Sequence, residues 1–163
     1  SSLNDLIERI TKFSVVASKK LRRLNSECNM ISVFIRSNPF KKDSERSHFS
    51  LTRTLPFSTN SSIEISKFAV KLLKKIYSKN KSYKKAGIIL MGLSPQSTHQ
   101  FSLFDQNIDK QKKLMRSIDS IDNKYGLYKV RLASQDQKRI WKMKRQKLSR
   151  NYTTEIDEVL IVK

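Results

Sequence analysis

The sequence predicts an α+β domain followed by a linker and a small basic C-terminal α/β appendage. Two stretches repeat apolar residues every three or four positions, which is typical of amphipathic helices. Three shorter runs are rich in β-branched residues or alternate apolar with polar side chains, as strands do. Because the order is helix, strand, strand, helix, strand, we expect two helices on one face of a small sheet and an open opposite face.

Both helices are predicted to begin at capping boxes, in which a serine and an acidic residue three positions later bond each other's backbone. Ser2 with Asp5 begins the first helix, and Ser61 with Glu64 begins the second. The apolar face of the first helix comprises Leu3, Leu6, Ile7, Ile10, Phe13, Ala17, Leu21 and Leu24. The apolar face of the second comprises Ile65, Phe68, Ala69, Leu72 and Ile76.

The three strands are predicted over 30–36, 48–55 and 86–93. In the second strand, apolar residues alternate with His48, Ser50, Thr52 and Thr54, and Arg53 is the exception. Alternation of this kind is typical of a strand with one buried face. Three strands make a thin layer under two helices, so we expect a fourth strand upstream of Ser1.

The net charge of +20, from 34 Lys and Arg against 14 Asp and Glu, indicates a polyanionic partner. Nucleic acid is the first candidate. A membrane surface is disfavoured because the apolar helix faces are needed for the core. No transmembrane helix is expected either, since the longest apolar run, 86–93, falls far short of the roughly 20 residues that a span needs.

The charge is unevenly distributed and divides the chain into three parts. Residues 1–93 hold 19 basic and 6 acidic residues, whereas 94–109 hold no Lys or Arg, and 124–150 hold ten basic residues and one acid. We therefore predict a domain over 1–93, a linker over 94–108 and a small C-terminal domain over 109–163. The last is expected to contain a helix over 109–123 and, after Gly126, a strand over 127–132.

No constellation of catalytic or metal-binding residues is found. Cys28 is the only cysteine, and the two histidines are far apart in the chain. Asp119 and Asp122 share a helix face, but nothing near them in sequence completes a metal site. We expect no catalytic site, no metal and no cofactor in this chain.

Several ordered motifs resemble the C-terminal region of UmuC-type error-prone DNA polymerases of the Y family, and the resemblance covers essentially the whole chain. The motifs are Lys20-Leu21-Arg22, the run from Ile31 to Phe40, the run from Tyr83 to Gly87, Gln100-Phe101-Ser102-Leu103-Phe104-Asp105, and Trp141-Lys142-Met143-Lys144-Arg145.

The resemblance implies that residues 1–93 form a "little finger" domain, in which four strands are backed by two helices. In this family the open sheet face holds primer–template DNA mainly through phosphates. The Mg²⁺-binding palm domain lies upstream in the family and is absent here. A bacterial, cytoplasmic and nucleoid-associated protein is implied.

A polymerase that copies damaged templates has to hold DNA without reading its sequence, and phosphate contacts do this. Basic residues at or beside the strands are the candidates, with hydroxyl groups as further donors. The predicted DNA-binding residues are Ser32, Arg36, Ser50, Thr52, Arg53, Lys84 and Lys85. A further basic position of some relatives falls on the apolar Ile89.

The non-basic linker contains a segment that resembles the sliding-clamp pentapeptide of bacterial polymerases, commonly Gln-Leu-x-Leu-Phe. Phe101 departs from the usual Leu. The predicted clamp-binding residues are Gln100, Phe101, Ser102, Leu103 and Phe104. The alternative is that the three apolar residues of this segment pack on the domain.

For the C-terminal domain we expect a small cluster of Trp141, Tyr152 and Leu160, and a basic surface of Lys142, Lys144, Arg145, Lys147 and Arg150. That surface meets DNA or acidic parts of a partner, for which the resemblance suggests the UmuD′ dimer or the RecA filament. A different class of function also stays open, namely a free-standing basic adaptor that binds the clamp or DNA without belonging to a polymerase.

Overall fold

The computed structural model describes residues 2–38, 40, 47–98, 108–126, 129–135, 149–150 and 157. Its elements are α1 (Leu3–Arg23), β1 (Ser26–Arg36), β2 (His48–Thr59), α2 (Ser62–Ile76), β3 (Lys85–Pro95), a short 3₁₀ helix (Gln96–Thr98) and α3 (Ile108–Tyr125). The predicted α+β class and the order of the first five elements are confirmed. The expected fourth strand, upstream of Ser1, lies outside the sequence.

The three strands form an antiparallel sheet in the order β2-β1-β3, so β1 is central. The side chains of Ile31, Val33 and Ile35 point from β1 into the core and have no exposed surface. Helices α1 and α2 cover this face with Leu6, Ile10, Leu72 and Leu73, among others. The opposite face of the sheet carries no helix among the described residues.

The two helices approach closely because small serine side chains lie between them. The hydroxyls of Ser18 and Ser62 are 2.7 Å apart, and the Ser14 hydroxyl donates to the carbonyl of Ile10 at 2.8 Å. Ser14 and Ser18 belong to the buried face of α1. The prediction of that face was therefore wrong at two positions: Phe13, at its margin, is 41% exposed, and Leu24, beyond the last turn, is 70% exposed.

The first predicted capping box is present and the second is not. The backbone N–H of Asp5 donates to the Ser2 hydroxyl at 3.1 Å, and that of Ser2 donates to the Asp5 carboxylate at 2.9 Å. Ser61 is the N-cap of α2, but its side chain makes no capping bond. The carboxylate of Glu64 accepts from the amide of Gln111 in α3 instead, so a tertiary contact replaces the local one.

The C-terminal part differs from the prediction at its strand. Helix α3 extends the predicted helix by one residue at the start and two at the end. Residues 129–132 are not a strand. Gly126, which follows α3, has a φ of 92°, and Val130 and Leu132 line a cavity together with Val15 and Lys19 of α1. The Thr11 hydroxyl donates to that of Ser134 at 3.4 Å. The predicted cluster of Trp141, Tyr152 and Leu160 lies outside the described residues.

Candidate nucleic-acid interface

The open face of the sheet consists of the strand residues that alternate with the core positions. In β1 these are Met30, Ser32, Phe34 and Arg36; in β2, His48, Ser50, Thr52 and Thr54; in β3, Lys85, Gly87, Ile89 and Met91. No member of this set carries a carboxylate. The register places them in four cross-strand rows, and the three described next contain the predicted DNA-binding residues of this face.

The first row is cationic and crosses the end of the sheet where β1 finishes. Arg36 pairs with His48 on one side and with Lys85 on the other. Lys84 lies beside the row, directly before Lys85, and its backbone N–H donates to the Arg36 carbonyl at 2.8 Å. All four side chains are exposed. Three of the predicted DNA-binding residues, Arg36, Lys84 and Lys85, are therefore brought together, and His48 joins them.

The second row is built around an aromatic ring. Phe34 lies between Ser50 and Gly87, and its ring contacts the His48 ring edge-on at 6.5 Å between centroids. A Cβ atom on Gly87 would come within 2.5 Å of the Phe34 ring. Because Gly87 has no side chain, the Phe34 ring can pack directly over β3 at this position.

The third row supplies hydroxyl groups, but not all of them are available. Ser32 pairs with Thr52 and Ile89, and the Thr52 hydroxyl donates to that of Ser32 at 2.9 Å. Ser32 is only 7% exposed, whereas Ile89 is 49% exposed. Both Ser50 and Thr52 are exposed, but the single O–H of Thr52 is used in the bond to Ser32, and Ile89 adds an apolar group to this row.

Arg53 stands apart from the other predicted residues. It pairs with the core residue Ile31 and shares the alternation of Phe49 and Leu51. Its Cβ therefore belongs to the helix-bearing side of β2. The side chain is exposed because β2 is an edge strand, and its guanidinium lies 3.5 Å from the Thr52 carbonyl. The open face does not include it.

The ion pairs that bind α3 to the first domain were not predicted from the sequence. Arg22 bonds both carboxylate oxygens of Asp119, at 2.6 and 2.8 Å. Lys19 bonds Asp122 at 2.8 Å, and Lys112 lies 3.2 Å from the buried carboxylate of Glu27. These acidic groups are thereby held away from the sheet face. In the sequence, the i, i+3 spacing of Asp119 and Asp122 is the feature that could have indicated these ion pairs.

Among the described residues no group of His, Cys, Asp and Glu is arranged to hold a metal ion. Burial raises the pKa of the Cys28 thiol to about 11, which leaves it without nucleophilic character at neutral pH. Within the same part of the chain, no helix has the length and apolar character to cross a membrane. The predicted clamp-binding residues, from Gln100 to Phe104, lie outside the described residues.

Comparison with known proteins finds a family match for each of two segments of the chain. Residues 1–103 match the impB/mucB/samB family C-terminal domain, and residues 112–162 match a domain of unknown function (DUF4113). The chain is 33% identical over 161 residues to Protein UmuC of Salmonella typhimurium, an alignment that covers 98% of this chain and 38% of that protein.

Two further relatives also match this chain over only part of their own length. Protein MucB of Escherichia coli is 32% identical over 156 residues, which cover 94% of this chain and 36% of MucB. DNA polymerase IV of Clostridium acetobutylicum is 29% identical over 109 residues, which cover 66% of this chain and 26% of the polymerase. The chain spans less than two fifths of the length of these proteins. It belongs to the impB/mucB/samB family and contains that family's C-terminal domain.

Proposed function

We propose that this chain is the DNA-binding and clamp-tethering C-terminal region of an error-prone translesion DNA polymerase. Its first domain, with two helices behind an open sheet, acts as the little finger of that polymerase. The observation that supports this most strongly is the exposed row of His48, Arg36 and Lys85, with Lys84 beside it, on a face whose described strand residues carry no carboxylate.

The chemistry of the open face suits the DNA backbone better than base edges. Arg36, Lys84 and Lys85 neutralise phosphates, and the hydroxyl of Ser50 donates to a phosphate oxygen. None of the twelve strand residues named for this face is Asn, Gln, Asp or Glu, which are the side chains that read adenine or cytosine edges. Binding is therefore expected to be independent of sequence.

Fluorescence anisotropy with primer–template DNA over a range of salt concentrations tests this function. With about four to six phosphates engaged, the plot of log affinity against log salt should have a slope of about −4 to −5. A slope near zero contradicts the phosphate-contact account. DNA of unrelated sequence should bind with the same affinity.

A charge-reversal pair locates the contact. Lys84→Glu with Lys85→Glu should weaken binding at least about tenfold and reduce the magnitude of the salt slope by about 2. Lys74→Glu with Lys75→Glu, on exposed positions of α2, is the matched control because it changes the net charge equally. If both pairs weaken binding to the same degree, the row is not the binding site.

The clamp-tethering part of the proposal rests on Gln100 to Phe104. An extended segment with Leu103 and Phe104 as apolar anchors binds a preformed groove weakly, and tethering then raises the effective concentration of the polymerase on DNA. Leu103→Ala with Phe104→Ala should abolish saturable binding to the bacterial sliding clamp in anisotropy. Gln106→Ala with Asn107→Ala is the neighbouring control. Binding that is indifferent to the first pair refutes the tether.

A further inference from the structure

We propose that the outer face of α3 is a second binding surface for the nucleic-acid backbone, so that the chain holds two nucleic-acid segments at once. This inference rests on the proposed function, since it takes the sheet face as the first binding surface. It gives a role to the start of the C-terminal domain of unknown function.

Because α3 packs against α1 and α2, it has an inner face with paired aspartates and an outer face with exposed lysines. The inner face turns Asp119 and Asp122 onto Arg22 and Lys19 of α1, and Met115 between them is buried. Gln111 faces Glu64 of α2. The carboxylates of the described α3 side chains are thus used within the fold and do not repel an approaching polyanion.

The outer face presents a row of exposed lysines and serines. Lys110, Lys113, Ser117, Ser120 and Lys124 follow one another at spacings of three and four, which places them on one side of a helix. All five are exposed. Their backbone positions span about 21 Å along the helix axis, the length of roughly six base pairs of duplex DNA. Ammonium and hydroxyl groups are both donors for phosphate oxygens.

This face is well separated from the cationic row of the sheet. Lys112 of α3 pairs with Glu27 near the start of β1, whereas Arg36 ends the same strand. A strand of that length extends by about 30 Å from Glu27 to Arg36. One short duplex bound across the row at the end of β1 would therefore leave the outer face of α3 accessible to another.

An acidic protein is the competing partner class, and the composition of the face argues against it. Protein interfaces bury apolar anchors at their centre, but the exposed apolar residues of α3, Leu114, Ile121 and Tyr125, lie along one edge of the row of lysines and serines and not at its centre. A phosphodiester backbone needs only the cations and hydroxyls that this row supplies.

A bridging assay on the full chain tests the proposal. Two short duplexes, one carrying a donor and the other an acceptor fluorophore, are mixed with the chain, and energy transfer between them is measured. The wild-type chain should bring them together, and excess chain should separate them again. Lys110→Gln with Lys113→Gln and Lys124→Gln should abolish transfer while anisotropy still reports binding of one duplex.

The matched control is Lys67→Gln with Lys71→Gln and Lys74→Gln, which removes the same charge from exposed positions of α2 and should preserve transfer. The proposal is overturned if the wild-type chain binds only one duplex, if the α3 variant still bridges, or if both variants lose transfer equally. Displacement of the second duplex by polyglutamate at equal charge concentration would assign the face to an acidic protein instead. A wild-type chain that binds no DNA at all would refute the proposed function itself.

Discussion

At the scale of single residues, burial decides what Cys28 can do. Its side chain is fully enclosed, and its Sγ–H donates to the Thr59 carbonyl at 3.4 Å. Burial raises the pKa of the Cys28 thiol to about 11, and the neighbouring charge of Glu27 acts in the same direction. The residue is therefore a small packing group of the core.

We predict that Cys28 in the folded chain reacts slowly with iodoacetamide. At about pH 8, a shift of the thiol pKa from 9.0 to about 11 lowers the thiolate fraction about 100-fold, and the thiolate is the reactive form. Mass spectrometry should show labelling only after the chain is unfolded in urea. Equal rates in the folded and unfolded chain would show that the thiol is accessible and unperturbed.

At the scale of elements, α1 is fixed locally at its first turn. Hydrogen bonds from the backbone and side chain of Ser2 lower the pKa of the Asp5 carboxyl. A carboxyl whose folded pKa lies below its unfolded value stabilises the fold above the unfolded pKa. That contribution disappears as the pH falls through the lowered folded value.

Asp5→Asn should therefore lower the urea midpoint at about pH 7, while the two proteins should converge towards about pH 2. The asparagine keeps a carbonyl acceptor and removes only the charge, so the comparison isolates the ionised form. Urea titrations followed by circular dichroism at both pH values measure the effect. A difference that persists unchanged at low pH would mean that the charge of Asp5 is not its cause.

At the scale of the whole molecule, Arg22 joins four parts of the fold. It lies in α1, bonds Asp119 of α3 through two nitrogens, and donates to the Asn60 carbonyl and the Ser62 hydroxyl at 2.8 and 3.1 Å. The side chains of Arg22 and Asp119 are only 11% and 23% exposed. Helix α3, which contains the start of the second family segment, is therefore packed against the first domain.

Removal of Asp119 should leave a largely buried guanidinium without its carboxylate. Because the pair is partly exposed, we expect Asp119→Ala to cost about 1–3 kcal/mol of unfolding free energy, between the ranges for surface and buried ion pairs. Glu8→Ala, on α1, changes the net charge equally and should cost much less. Chemical denaturation of both variants gives the comparison, and equal losses would show that the pair does not hold α3.

The two predicted capping boxes show that a local sequence pattern does not by itself determine which hydrogen bonds form. Ser2 with Asp5 and Ser61 with Glu64 have the same spacing, but only the first forms, because Glu64 has a tertiary partner in Gln111. The same limit applies to the candidate site. The strands predicted from the sequence already placed Arg36 and Lys85 close together. The side of the sheet to which Arg53 belongs follows only from the strand register, in which Arg53 pairs with Ile31 on the helix-bearing side.

The sequence by itself determined the α+β class, the order of the first five elements, the basic character of the chain and the strands that carry the candidate interface. Those features depend on side-chain periodicity and composition, which are local. Only the tertiary structure decided which cations stay exposed. Lys19 and Arg22 are as basic as Lys84 and Lys85, but α3 folds back and pairs the first two with aspartates about 100 residues away in the chain. Such pairing depends on distances in space, which spacing along the chain does not contain.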